Sequence, residues 1–404
     1  MPPEVFMPRS RLSRMIIPTL VVVLVIAAAL YALAPHPPKP PLKAASVADL
    51  ETYLDALAAS GNPPGLSVVV VKDGRLVYSR AFGFADGPRN IKATPETVYH
   101  WWSMTKIPTA IAVLQLSEQG RLSLDDPVTK YLPWFKVTYP TTDRAPITIL
   151  NLLQHSSGLP DTMPAMIGWV HYDDDSRNQT EIARKYLSSF NKLKFAPGAR
   201  ASYSNYNYML LGAVIEAVTG EPYEQYMTQN ILQPLGMTRT SFVYSPEMAA
   251  QASSGSLPVV HFYMPLLPFL LDTNQLIRER QANLLWFHKM YIDATPSTGL
   301  IGPAPDVGRL MMAYLSRGAL EGKSVLSPHS VALMTETAPI DGHGLGWFSF
   351  PQGSRPYVEH AGGGPGFATN MRLNPHEKLG IAILANGTDL DRAGISDLIA
   401  SISW

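Results

Sequence analysis

Ser103 and Lys106 stand three residues apart in the stretch Tyr99-His-Trp-Trp-Ser-Met-Thr-Lys-Ile-Pro-Thr-Ala110. On a helix those two positions share a face, so hydroxyl and amine can touch. A serine hydroxyl becomes a nucleophile when a neighbour takes its proton, and an amine whose pKa is lowered by burial can do so. The same tetrapeptide also reads as a helix cap followed by a surface lysine. Two further stretches offer the missing partners. Tyr203-Ser204-Asn205 follows a loop marked by Pro197-Gly198 and precedes an apolar helix from Tyr206. A tyrosinate beside an ammonium can act as a base, and an asparagine can hold the lysine or a substrate carbonyl. His360-Ala361-Gly362-Gly363-Gly364 follows a strand pattern and is nearly bare of side chains, so a substrate can lie against its backbone N–H groups. Singly, each has a plain reading: a packed tyrosine, a helix-capping asparagine, a strand-end histidine, a glycine turn. The glycines do not form a nucleotide loop, because neither a Lys-Ser/Thr pair nor a dinucleotide-binding spacing follows them.

The elements that must carry these residues are legible around them. Ser46-Val-Ala-Asp49 has the form of a capping box, and Val47, Leu50, Leu54 and Leu57 continue it as a helix that ends near Gly61. Leu66–Val71 and Leu76–Phe82 read as two strands joined by a turn at Asp73-Gly74. Ser103–Gln119 reads as a buried helix, with Pro108 tolerable only if the helix starts close to Ser103 and Gly120 closing it. That start sets the serine near a helix N-terminus, which favours developing negative charge. Residues 121–291 read as mostly helix and loop, an inserted helical subdomain. Within it Leu257–Leu271 contains three prolines and is too short to span a bilayer. It is a core segment, an apolar wall over a substrate pocket, or a surface dipping into the membrane. Beyond Pro296 the pattern returns to strands at Gly344–Phe350, Pro356–His360, Phe367–Leu373 and Leu379–Ala385, before a closing helix with Ile395, Leu398, Ile399 and Ile402. The expected fold class is α+β, with one antiparallel sheet built from both ends of the chain and flanked by helices.

Composition removes several function classes. With 32 basic and 32 acidic residues and no basic stripe, nucleic acid is not an expected partner. There is no cysteine, so covalent chemistry must run through oxygen or nitrogen. Asp173-Asp174-Asp175 reads as a solvated acidic loop, and neither a metal nor a cofactor is expected. The N-terminus carries an address. Arg9, Arg11 and Arg14 lie in a cytoplasmic stretch of residues 1–14, and residues 15–34 hold no charge and match the ~20 residues of a transmembrane signal-anchor. A cleaved signal peptide is the rival reading, since Ala32-x-Ala34 offers small residues, although Pro35 hinders cleavage there. Residues 35–45 form a proline-rich linker and residues 46–404 an extracytoplasmic domain, periplasmic or extracellular.

Taken together, the three boxes resemble those of the serine β-lactamase and penicillin-binding-protein superfamily, whose signature is Ser-x-x-Lys, a second polar box and Lys-Thr-Gly. The chain is most similar to the branch of class C β-lactamases, D-alanyl-D-alanine carboxypeptidases and related esterases, in which the second box is Tyr-x-Asn. Leu122–Pro133, Thr148–Pro160 and Pro234-Leu-Gly-Met237 match that branch as well, and the resemblance runs from about Val47 to the C-terminus. It implies a β-lactamase/transpeptidase-like fold and an acyl-enzyme mechanism. Ser103 would attack a carbonyl, Lys106 and Tyr203 would share the proton transfers, and Asn205 would position Lys106 and substrate. Backbone N–H groups of Ser103 and Gly363 would bind the oxyanion. In the third box His360-Ala361-Gly362 replaces Lys-Thr-Gly. Alanine has no hydroxyl, and a histidine of ordinary pKa, about 6.5, is mostly neutral at pH 7. The resemblance with this departure implies an ester or amide hydrolase rather than an efficient β-lactamase. A carboxypeptidase or peptidase, a weak β-lactamase, an acyltransferase and a non-catalytic penicillin- or lipid-binding module are the alternatives.

Overall fold

Strand β1 (Gly65–Lys72) is almost wholly buried, as a central strand covered by helices on both faces must be. Leu66, Val68 and Val70 enter one core while Val69 and Val71 enter another, following the two-residue period of a strand. The chain turns at Asp73 and Gly74, both at positive φ (50° and 76°), into β2 (Arg75–Asp86), and β3 (Ile91–Lys92) follows. The other strands come from the far end: β4 (Phe348–Phe350), β5 (Tyr357–Gly364), β6 (Phe367–Asn374) and β7 (Leu379–Ala385). They form one antiparallel sheet in the order β4-β5-β6-β7-β1-β2-β3. The seam between the chain ends runs from Leu66 opposite Ala385 to Lys72 opposite Leu379. These features belong to a computed structural model that describes residue 25 and residues 36–404, apart from 141, 143, 162–168, 176, 262–263, 265–266, 337–339 and 351–355.

The longer helices are α1 (Val47–Ala59), α2 (Lys106–Glu118), α3 (Gln179–Phe190), α4 (Asn205–Thr219), α5 (Ala304–Leu315), α6 (Pro328–Glu336) and α7 (Arg392–Ala400). Leu50, Leu54 and Leu57 of α1 and Ile395, Leu398 and Ile399 of α7 cover one sheet face. The remaining helices share the larger core on the other face. There α2 is buried from Lys106 to Leu116, because its apolar residues surround the axis instead of forming a stripe.

Two expectations need correction. The region beyond Pro296 is not all strand: α5 and α6 lie in it. Val307, Leu310, Met311 and Tyr314 are buried at helical spacing, and α5 packs on β1 and β7, supplying the cover that the second sheet face needs. The segment between the sheet halves also holds a small sheet of its own, Ser256–Pro258, Leu284–Phe287 and Ile277–Gln281. The proline-rich linker touches the domain. The Tyr53 hydroxyl donates to the Pro38 carbonyl at 3.1 Å. Residues 15–34, expected to span the membrane, lie outside the described residues apart from Val25. Among the described residues no helix is long and apolar enough to cross a membrane.

Candidate active site

Ser103 sits in a single 3-10 turn, Trp102–Thr105, that leads directly into α2. The α-helix therefore begins at Lys106, three residues later than expected. Positions three apart also eclipse in a 3-10 turn, so the hydroxyl and amine still meet, with Lys106 Nζ 3.3 Å from Ser103 Oγ. Trp102 enters this turn at φ +49°, a left-handed conformation that is costly for a bulky side chain and that the surrounding packing must enforce. Its ring is buried. A methyl added to Gly364 would come within 2.4 Å of it, so the glycine at the end of β5 makes room for the tryptophan that aims the serine.

Lys106 Nζ donates to Asn205 Oδ1 at 2.8 Å and to the Ser297 carbonyl at 2.8 Å. The Tyr203 hydroxyl donates to Ser103 Oγ at 2.9 Å. Ser103, Lys106, Tyr203 and Asn205 are thus brought into one hydrogen-bonded cluster, with Tyr203 and Asn205 arriving at the N-terminus of α4. Burial pushes the Lys106 amine well below its ordinary value, against the opposing pull of Asp161. Burial likewise pushes the Tyr203 phenol up, and the Ser103 hydrogen bond only partly offsets it. Both shifts favour the uncharged form of each group, an amine and a phenol. A neutral amine has two N–H donors and one lone pair; both donors go to the two carbonyl oxygens, and the lone pair is left for the serine hydroxyl.

The third box lies inside β5 rather than after it. β4 pairs with Tyr357, Val358 and Glu359, and among the described residues no strand pairs with that edge of β5 from His360 to Gly364. His360 is buried, its Nδ1–H donates to the Ala361 carbonyl at 2.8 Å, and its ring packs near Phe348 and Tyr203. Burial first, and the Lys106 charge second, push it down to about 3, so it is neutral. A cavity of about 530 Å³ opens over Ser103, Tyr203 and Asn205, and Gly363 and Gly364 line it. Trp102, Trp169, Leu257, Leu267, Leu271 and Phe287 make an apolar wall, so part of the Leu257–Leu271 segment faces this cavity. Among the described residues, no cluster of three His, Cys, Asp or Glu side chains could hold a metal ion.

Sequence reading missed several contributors. Asp161 Oδ1 accepts from both the Asn205 backbone N–H (3.1 Å) and Asn205 Nδ2 (3.2 Å), which turns the amide oxygen toward Lys106. Its only local signal is its place after Gly158-Leu-Pro160. The buried His155 ring packs on Tyr203 at 4.6 Å between centroids, and its Nδ1 accepts from the Ser204 N–H at 3.2 Å. Arg392, at the start of α7, lines the cavity and donates to the Gly362 carbonyl at 3.0 Å. No motif announces it. The Ser297 carbonyl is backbone, and side-chain pattern cannot reveal it.

The β-lactamase family matches this chain over residues 50–402. The chain belongs to the β-lactamase family. Within it, the D-alanyl-D-alanine-carboxypeptidase/endopeptidase AmpH of Escherichia coli K12 is 28% identical over 373 residues, covering 88% of this chain and 89% of AmpH. Protein flp of Staphylococcus aureus strain MRSA252 is 29% identical over 342 residues, or 83% of this chain. That match spans only 62% of flp. The octameric penicillin-binding protein homologue from Pyrococcus abyssi superposes with a TM-score of 0.67 at 27% identity, covering 87% of this chain and 76% of that one. With this family match and its α+β fold, the chain is a member of the β-lactamase and penicillin-binding-protein-like superfamily.

Proposed function

We propose that this β-lactamase-family member is a membrane-anchored, extracytoplasmic hydrolase that acts on ester or amide substrates through an acyl-enzyme on Ser103. The observation that carries the reading is the placement of Ser103 Oγ between Lys106 Nζ and the Tyr203 hydroxyl under an apolar-walled cavity. Ser103 Oγ attacks the carbonyl carbon as its proton passes to the Lys106 amine. The oxyanion is held by backbone N–H groups of Ser103 and Gly363; such a donor is typically worth about 3 kcal/mol. Tyr203 gives its proton to the leaving alkoxide or amine and is reprotonated from Lys106. Water then repeats the sequence in reverse roles and releases the acid. The neutral His360 and the apolar wall support uncharged acyl substrates, and the uncharged residues 15–34 support the anchor. The test is hydrolysis of a short-chain nitrophenyl ester. Ser103→Ala is expected to abolish it, and an unaltered rate would sink the reading.

A second reading, a peptidase acting at D-alanyl termini, is favoured by one observation: the Arg392 guanidinium on the cavity wall beside Gly362 and Gly363. A guanidinium there can pair with a terminal carboxylate. AmpH carries that activity in its name. Arg392→Ala is expected to cut kcat/KM for an acyl-D-Ala-D-Ala peptide more than ~10-fold and to leave a neutral ester within about 3-fold. Equal losses on both substrates, or none, exclude a carboxylate role.

A further inference from the structure

Lys106 is held by a backbone carbonyl, and the turn that presents this carbonyl has its own support. Thr295–Thr298 is a single helical turn, buried at every residue. From the inside it is fixed by α2: Lys106 Nζ donates to the Ser297 carbonyl (2.8 Å), Thr109 Oγ1 to the Pro296 carbonyl (2.8 Å), and the Leu300 N–H to Thr105 Oγ1 (3.1 Å). Pro296 packs so closely on α4 that a methyl on Gly212 would sit 2.1 Å from its ring. On the other side, Thr295 Oγ1 donates to Glu224 Oε1. Glu224 lies in the short helix Tyr223–Met227, and Gln179 Nε2 donates to the same oxygen at 3.0 Å. Its second oxygen, Oε2, is buried with no hydrogen-bond partner among the described residues. A carboxyl group desolvated in this way is expensive to keep for packing alone.

We infer that Glu224 is a positioning residue for the reaction, clamping Thr295 so that the 295–298 turn holds the Ser297 carbonyl against Lys106. The inference rests on the acyl-enzyme reading above. Two N–H donors of a neutral Lys106 must be spent on Asn205 and Ser297 for the lone pair to face Ser103. If the turn drifts outward, the amine rotates and loses that aim, which lowers the chemical step and leaves substrate binding alone. Burial pushes the Glu224 carboxyl up to about 7, so its protonated and charged forms are both populated near neutral pH. An amide fits the same place, because Oε1 is the oxygen in use and Oε2 has no partner to lose.

The test uses the full chain with Glu224→Leu, Glu224→Gln, Thr295→Val and the Glu224→Leu/Thr295→Val pair. The leucine and valine variants are expected to lower kcat on a nitrophenyl ester ~10-fold with KM within about 2-fold, and the pair no further than either alone. Glu224→Gln is expected to stay within about 2-fold of the unaltered chain. Lys106 is titrated in parallel by nitrogen-15 NMR of the lysine side chains. Loss of a carbonyl acceptor disfavours the ammonium, so its pKa is expected to fall in Glu224→Leu and to be unchanged in Glu224→Gln. Unchanged kcat in either single variant, additive losses in the pair, failure of glutamine to rescue, or an unmoved Lys106 titration each overturn the inference. If the unaltered chain hydrolyses no ester, the functional reading fails, and the Lys106 titration still decides this one.

Discussion

Lys106 is a buried amine with three neighbours, and the identity of each neighbour sets its chemistry. Asn205 and Ser297 offer oxygen, Ser103 offers a proton, and Asp161 fixes which end of the Asn205 amide faces the amine. The rate should therefore rise with pH as Lys106 loses its proton, at a pH well below that of an ordinary lysine, since burial lowers its pKa. Asp161 is the charge that opposes this lowering. Asp161→Asn is expected to move the acid limb of the kcat/KM profile to lower pH, because the ammonium loses a stabilising anion. Asp161→Ala, which removes the oxygen as well as the charge, should also lower kcat by ~10-fold or more, as Asn205 then loses the acceptor that orients it. A limb moving to higher pH would contradict this arrangement. The pair of tryptophans before the serine also acquires distinct roles. Trp101 donates from Nε1 to the Gly302 carbonyl, and its own carbonyl accepts from Thr369; Trp102 borders the cavity.

At the level of elements, β5 and the 3-10 turn are made for each other. A methyl on Gly362 would meet the Trp101 carbonyl at 2.1 Å and Thr369 Oγ1 at 2.2 Å, and one on Gly364 would meet the Trp102 ring at 2.4 Å. The glycines of the third box were legible as a bare backbone surface, but not as contact points for the serine-bearing turn. Gly364→Ala is expected to destabilise the chain by about 1–3 kcal/mol and to lower esterase activity more than the stability loss alone explains, because Trp102 cannot move without Ser103. Thermal unfolding and kcat measured on the same sample separate the two effects. A fully active variant would remove Trp102 from the aiming of the serine. Helix α5 shows how an element escapes sequence reading. Its spacing is helical, yet the strand patterns around it dominate, and only the sheet face it covers explains why it is there.

Across the whole molecule, the residues that flank the nucleophile belong to the larger core, and the histidines buried near them make stability depend on pH. His100, His155 and His360 are all pushed down chiefly by burial, His100 and His360 to about 3. In the unfolded chain they take up protons as pH falls through about 6.5. Between that value and the lower folded-state pKa, the unfolded state binds more protons, so stability falls as pH falls. His100 and His360, at roughly 1.4 kcal/mol per pH unit each, contribute a loss of about 2–3 kcal/mol between pH 6 and pH 5. Urea denaturation at the two pH values measures it, and His100→Phe is expected to remove about half of that contribution. A slope unaffected by that substitution would place the proton uptake elsewhere.

The order of boxes, the strands at both chain ends and the buried character of α2 were determined by the sequence, because each depends on residue type at short, regular spacing. The nucleophile, its amine and the Tyr-x-Asn partner could be picked out for the same reason. Tertiary structure alone decided what surrounds them. Asp161, Arg392, the Ser297 carbonyl and Glu224 reach the cluster through contacts that join distant segments, and a backbone oxygen leaves no mark in side-chain pattern. His360 shows the same division: its type indicated a neutral third box, and burial beside Lys106 is what holds it neutral.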